Sequence, residues 1–309
     1  MINGADCDKI SITEKVRKLL EETGVKAKFG AELAKLTTFG VGGKAETAVY
    51  PSGIEQLDAV LAATERLGLE RFVLGRGSNV LASDKGYGGV LIVLRNNLSQ
   101  ISFSGNAITA EAGASTAQVA RLAAEKELAG CEFLSLLPAS IGGAVVMNAG
   151  CFGFNMAGIV QNVYATKGKG IEVFPHESCG FGYRSSVFAR EGWTVGKIEI
   201  ALEKGSRGHI EALANSLAAK KRSTQPIGER TAGSVFLNGK EPAAKLIEQI
   251  GLKGFRLGGA EISKKHSNFI VNTGNATQKE ISDLICVVQN AVREKTGVSL
   301  EQEIKFLGD

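Results

Sequence analysis

Apolar positions near the start of the chain recur at helical spacing: Val16, Leu19 and Leu20 form one stripe, Ser11 with Glu14 makes a capping-box pattern before it, and Gly24 closes it. This predicts an amphipathic N-terminal helix. Ile54 to Leu67 repeats the helical period. Phe72 to Leu74 and Val90 to Leu94 are short apolar runs of the kind that form buried strands, and Ile108 to Glu111 alternates as a strand does. A helix is predicted from Ser115 to Glu127, ending near Gly130. Residues 159 to 203 read as strands, with Gly168-Lys169-Gly170 turning one into the next and Val195 to Leu202 alternating afterwards.

A lysine- and alanine-rich helix is predicted at about 208 to 221, ending near Gln225-Pro226, where the composition changes. The rest forms a unit of roughly 90 residues, an ordinary domain size. It reads as helix 242 to 250, strand 266 to 272, helix 277 to 296 and terminal strand 299 to 307. Thr277 and Glu280 cap the long helix and Gly297 stops it. Helices and strands mix along the whole chain, without internal repeats.

At 309 residues the chain is long enough for two or three packed units and a substantial core. A net charge of +4, with both signs interspersed, argues against a nucleic-acid partner. Cys7, Cys131, Cys151, Cys179 and Cys286 are odd in number and scattered, and only His176, His209 and His266 could join them as ligands, so neither a disulfide framework nor a metal site is expected. No leader-like segment and no run near the roughly 20 apolar residues that span a bilayer is seen, which predicts a cytoplasmic protein without membrane insertion.

Glycine is the anomaly, at 39 residues about twice the average usage of roughly 7%. Three clusters stand in the first half: Thr38-Phe39-Gly40-Val41-Gly42-Gly43, Gly75-Arg76-Gly77-Ser78-Asn79, and Pro138-Ala139-Ser140-Ile141-Gly142-Gly143-Ala144 leading to Met147-Asn148-Ala149-Gly150. Glycine lets backbone N–H groups approach a phosphate closely. The second cluster follows a strand like a dinucleotide fingerprint, yet Val80 stands where the third glycine belongs and no helix pattern follows, so an ordinary Rossmann site is excluded. Any one cluster could equally be a set of tight turns. Three of them, each beside Ser, Thr or Asn, favour a diphosphate-containing cofactor such as FAD held mostly by main chain.

Together with Ala112-Gly113-Ala114, Tyr183-Arg184-x-Ser186-x-Phe188, Ala232-Gly233-Ser234-x-Phe236-x-Asn238, Gly251-Leu252-Lys253-Gly254, His266-Ser267-Asn268-Phe269 and Leu300-Glu301-x-Glu303, these clusters resemble the UDP-N-acetylenolpyruvoylglucosamine reductases, from about residue 36 to the end. The resemblance implies an α+β chain. It has a two-part FAD-binding region of the vanillyl-alcohol-oxidase-like type, at 31–96 and 97–207, after an N-terminal helix within 1–30. A substrate-binding domain follows at 208–309. It implies noncovalent FAD, NADPH as reductant, a UDP-sugar substrate, peptidoglycan precursor synthesis, and a monomer of the family's shorter type. It assigns Thr38, Gly75, Arg76, Gly77, Ser78, Asn79, Ala114, Pro138, Ser140, Gly142, Gly143, Asn148, Ala149 and Gly150 to the cofactor, and Tyr183, Arg222, Gln225, Asn238 and His266 to the substrate. Ser234, Arg184 and Glu303 are its catalytic trio. The chain departs from the family pattern at Leu237, at Gly239-Lys240-Glu241 before Pro242, at Ala139, at Leu136 and at Thr37.

The chemistry suits that trio. An enolpyruvyl ether is an α,β-unsaturated carboxylate, so hydride from flavin N5 added at C3 leaves charge on C2 and the carboxylate. A guanidinium (Arg184) grips such a carboxylate with two parallel N–H bonds. Ser234 is placed to protonate C2, a weak acid sufficing for a strongly basic carbanion. Glu303 is expected either to hydrogen-bond the carboxylate as a neutral acid, its pKa raised by burial, or to orient water. Spacing alone does not separate Glu303 from Glu301, which share one face of an alternating Glu301/Glu303/Lys305 pattern whose default is a solvated edge. Two other readings fit the residues: a flavin oxidoreductase of the same fold acting on an alcohol or hydroxy acid, and a non-catalytic sugar-nucleotide-binding protein.

Overall fold

The computed structural model describes residues 11–308, so Cys7 and the stretch that bears on a leader lie outside the described residues. The first helix, Ile12–Thr23, begins where the Ser11 hydroxyl accepts the Glu14 N–H at 3.2 Å and ends at Gly24, whose φ of 58° is left-handed. Its buried Val16 and Leu19 face helix Ile54–Arg66.

A four-stranded sheet follows, in the order Lys26–Glu32, Lys44–Tyr50, Tyr87–Val93, Arg71–Leu74, antiparallel at the first pairing and parallel at the other two. Tyr87–Val93 is interior and almost wholly buried, which is why it reads as a continuous apolar run. Lys26–Glu32 is the exposed edge and carries charges that discourage edge pairing, and its Ala27, Phe29, Ala31 alternation is a weak strand signal.

A second sheet of five antiparallel strands runs Ile171–Pro175, Val160–Thr166, Thr194–Ala201, Ala107–Glu111, Ile101–Ser104. The turn at Gly168-Lys169-Gly170 joins its first two strands as expected. Helix Thr116–Glu125 and the short turn Glu132–Leu136 cover this unit. Helix Arg207–Thr224 packs on both and gives Leu217 to the same core, although it was expected to open the C-terminal unit.

The third unit packs helices Ala243–Gln249 and Gln278–Thr296 on a three-stranded sheet, Arg256–Leu257, Ala260–Ile262, Ile270–Asn272. The expected capping box is present: Thr277 Oγ1 accepts the Glu280 N–H at 3.1 Å, and Glu280 Oε2 accepts the Thr277 N–H at 3.0 Å. Two expectations are corrected. The strand begins at Ile270, not 266, because residues 266–269 form a turn closed by Phe269 N–H to His266 O at 3.0 Å. The terminal strand is only Lys305–Leu307, because Gln302 pairs with Phe236 instead and the chain bends at Ile304 before the strand begins.

That short strand sets the geometry of the site. It pairs in parallel with Val80–Ala82, directly after the second glycine cluster, and returns the C-terminus to the first unit. Phe39, Val41 and Leu81 of that unit sit in one core with Phe236, Ile247, Leu284 and Val288. Asp84 accepts the N–H groups of Gln278 and Lys279 at 3.0 and 3.3 Å, satisfying donors at the long helix's start. The glycine clusters are thereby drawn together: a Cβ on Gly75 would lie 2.1 Å from Ser140 Oγ, and one on Gly77 (φ 66°) 2.3 Å from Leu36 O.

Candidate active site

Arg184 sits at the tip of a tight turn in which Gly182 and Ser185 exchange backbone hydrogen bonds of 2.9 and 3.3 Å. Its φ of 51° is left-handed, a strained setting for a non-glycine residue that the surroundings must impose. Asn148 does so: it is buried, its amide donates to Gly182 O at 2.9 Å, and its carbonyl accepts the Ala157 N–H at 2.9 Å. Ser186 ties the far side to Val146 O at 2.7 Å.

Glu303 is fixed by its backbone. Its N–H donates to Val235 O at 2.8 Å, and its carbonyl accepts the Asn79 amide at 3.1 Å. The side chain meets Arg184, with Nε donating to Oε1 at 2.8 Å, and the pair is only 25% and 12% exposed. Glu301 is exposed whereas Glu303 is largely buried, so the two glutamates differ in environment. Burial pushes the Glu303 carboxyl above its ordinary range, against the pull of Arg184 and Lys305.

Ser234 belongs to the segment trapped between these parts. Val235 N–H donates to Asn268 O at 2.8 Å, Phe236 N–H to Asn268 Oδ1 at 2.9 Å, and Asn268 Nδ2 returns a bond to Phe236 O at 2.8 Å. Ser234 itself bridges Phe269. Glu303 N–H bonds Val235 O, the carbonyl just after Ser234, so the serine's backbone segment adjoins that of Glu303. Asn268, 2% exposed, was not recognised as a site-building residue, and nothing in the sequence separates it from an ordinary loop asparagine. Asn268→Ala is expected to cost about 1–3 kcal/mol by stranding buried backbone groups, and to lower turnover with it. Urea unfolding beside an activity assay checks this, and an unchanged midpoint would contradict it.

The remaining assigned residues divide. Ser140 Oγ caps helix Ile141–Val146 by accepting the Gly143 N–H at 3.4 Å, and Ala114 O accepts Ile141 N–H at 2.8 Å. Gly142 is pressed onto Ala112, and Gly150 onto Phe154 O at 2.1 Å from a notional Cβ. Ala149 N–H bonds Ala144 O at 2.7 Å. Ser78 is half-buried within the second cluster. Tyr183, 57% exposed, accepts the Asn238 N–H at 3.2 Å, while Asn238 Oδ1 accepts the Ala243 N–H at 3.1 Å. Arg222 is exposed at the end of its helix, with Gln225 half-buried just beyond. His266 is satisfied within its turn: Nδ1 accepts the Asn268 N–H at 3.3 Å, and burial lowers its pKa and favours the neutral ring. A cavity of about 310 Å³ opens between the first two units, lined by Thr38, Arg76, Arg95, Ser115, Ser135 and Pro138 among others. Arg95 is a lining cation that motif reading missed. Thr38 Oγ1 donates to Thr231 O at 2.7 Å, joining this cavity to the segment leading to Ser234.

Comparison with known proteins places the chain first among FAD-binding proteins, since residues 45–171 match the FAD binding domain family. Residues 225–307 match the C-terminal domain of UDP-N-acetylenolpyruvoylglucosamine reductase. The UDP-N-acetylenolpyruvoylglucosamine reductase of Caldanaerobacter subterraneus subsp. tengcongensis is 37% identical over 303 residues, covering 96% of this chain and 98% of that one. That of Clostridioides difficile is 38% identical over 282 residues, covering 90% and 92%. The crystal structure of the Thermus caldophilus UDP-N-acetylenolpyruvylglucosamine reductase superposes with a TM-score of 0.78 at 31% identity, covering 91% of this chain and 98% of that one. The chain belongs to the UDP-N-acetylenolpyruvoylglucosamine reductase family. Among the described residues, no helix is long and apolar enough to cross a membrane.

Proposed function

We propose that the protein is a flavoenzyme of peptidoglycan precursor synthesis, reducing the enolpyruvyl group of UDP-N-acetylenolpyruvoylglucosamine to UDP-N-acetylmuramate with NADPH as reductant. The observation that carries this reading is the largely buried Arg184–Glu303 pair, 2.8 Å apart and 119 positions distant in sequence, beside the backbone segment of Ser234. FAD fits the residues present: two guanidiniums and several hydroxyls line a cavity between the first two units, and the buried Thr231 hydroxyl has no hydrogen-bond partner among the described residues. Thr38, Arg76 and the glycine clusters would hold it. When bound, the flavin supplies hydride to C3 of the substrate.

The chain's own residues then have distinct tasks. Arg184 uses its Nε on Glu303 and its Nη2 on Gly150 O at 3.4 Å, so its Nη1 side is left for a substrate carboxylate. It stabilises the charge that collects on C2 and the carboxylate as C3 is reduced. Ser234 holds a proton on Oγ for C2. Glu303, held against Arg184 and with burial pushing its carboxyl upward, meets the same carboxylate or orients a water beside it. Tyr183, Arg222, Gln225 and Asn238 face the nucleotide end, where Arg222 brings a cation to a diphosphate.

The raised Glu303 pKa has a stability consequence of definite sign. A carboxyl whose folded pKa exceeds its unfolded value costs stability above the folded pKa, and the cost fades as pH falls through it towards 4.5. Glu303→Gln should therefore gain stability relative to wild type as pH rises through that range. Melting curves of both proteins across pH check this, and a difference that moves in the opposite direction would contradict it.

The reading itself is tested by mixing the purified protein with NADPH. Oxidation beyond the one equivalent that reduces the bound flavin is expected only when the enolpyruvyl sugar nucleotide is added, and acid precipitation is expected to release all the flavin as FAD. Steady turnover with an alcohol or hydroxy acid instead would favour another oxidoreductase of this fold, and nucleotide binding without turnover would favour a non-catalytic protein.

A further inference from the structure

We propose that Arg95, acting with Arg76, forms an anion subsite that selects flavins bearing a diphosphate; this rests on the FAD reading above. Arg76 follows Gly75 at the end of strand Arg71–Leu74, and Arg95 lies just past the end of the neighbouring strand Tyr87–Val93, so the sheet's parallel pairing brings both to one edge. Both line the cavity between the first two units, facing Ser115, Ser135 and Pro138 of the second. Among the described residues, no carboxylate lines that cavity. Arg95 is anchored by Nη2 donating to Lys35 O at 2.9 Å, a carbonyl that leaves its charge unneutralised.

Burial makes the Arg95 charge costly, and the Arg76 guanidinium in the same cleft repels it; both effects lower the Arg95 pKa. Such an arrangement is favourable once a dianion enters, because guanidinium matches phosphate oxygens through paired N–H bonds. The Ser115 hydroxyl adds a neutral donor to the same space, whereas those of Thr38 and Ser135 are already donated to Thr231 O and Glu132 O at 2.7 Å each. A diphosphate joining two nucleoside halves supplies that charge at the seam between two units. Riboflavin brings no phosphate at all. The inference assigns Arg95 a role that the glycine motifs do not, since it stands outside all three clusters.

The test measures FAD released from the holoenzyme on dilution, followed by the fluorescence of free flavin, over a range of salt. Arg95→Gln should raise the dissociation constant about ten- to a hundredfold, the usual worth of a hydrogen bond to a charged group. Its salt dependence should be shallower than wild type, and inorganic pyrophosphate should displace FAD from it less readily. Arg95→Lys, which keeps the charge, should recover much of the affinity and guard against simple misfolding. If Arg95→Gln holds FAD as tightly as wild type with the same salt dependence, or if Arg95→Lys fails as badly as Arg95→Gln, the proposal is overturned alone. A wild-type protein that carries no flavin overturns the cofactor reading and this proposal with it.

Discussion

Replacing Ser234 with alanine is expected to cut product formation by about 100- to 10,000-fold while flavin reduction by NADPH proceeds at the wild-type rate. The split follows from what the hydroxyl does. Delivery of hydride to the flavin needs no proton at the substrate's C2, whereas completing the second half-reaction does. The backbone around Ser234 is held by Asn268 and by the Glu303 N–H, neither of which uses the serine hydroxyl, so the substitution leaves the site's frame in place. Stopped-flow spectroscopy separates the halves: bleaching of the flavin on NADPH, then recovery of its colour on adding substrate. A variant whose colour returns as fast as wild type would remove Ser234 from the mechanism.

The second large effect is expected at Arg184. Arg184→Ala should lower turnover by about 10²- to 10³-fold, the usual cost of removing one preorganised donor to a developing oxyanion. Arg184→Lys should recover only part of it, because an ammonium cannot reproduce the fork that meets Glu303, Gly150 and a carboxylate at once. Losing the guanidinium also removes the influence that holds the Glu303 pKa down, so burial acts with less opposition and the carboxyl titrates at higher pH. Steady-state rates across pH for both variants measure the two consequences together. An Arg184→Ala enzyme within a few-fold of wild type would contradict the assignment.

The elements most legible in the sequence were those written in local chemistry. Ser11 and Thr277 cap their helices, Gly24 and Gly297 end them at φ values of 58° and 73°, and Gly168-Lys169-Gly170 turns a hairpin. Each depends on neighbours within a few positions. The edge strand Lys26–Glu32 is weakly marked in the sequence: Ala27, Phe29 and Ala31 alternate, but two of the three are alanines, and only Ala31 is buried. Strand Lys305–Leu307 came out too long because what ends it is the bridge from Gln302 to Phe236, a contact the local pattern does not encode.

The site follows the same division. The identities of Ser234, Arg184 and Glu303 came from family resemblance, not from spacing, and the choice of Glu303 over Glu301 had no local warrant. The structure supplies the physical difference: the Asn79 amide takes the Glu303 carbonyl across 224 positions, and the side chain then faces Arg184 in a 12% exposed setting. Asn268 and Arg95 were illegible for a related reason. One matters through two bonds to Phe236, 32 positions away, the other through a cavity assembled from two units. The glycines were read as points of close approach, and at Gly75, Gly77, Gly142 and Gly150 part of what approaches is the protein itself.

The central claim is that hydride enters at C3 and the proton reaches C2 from Ser234. Turnover in D₂O with unlabelled NADPH, followed by NMR of the product lactyl group, tests it most directly. The account predicts deuterium at C2 in a single configuration. A product with hydrogen at C2 and deuterium confined to C3, or a C2 centre of mixed configuration, would contradict it.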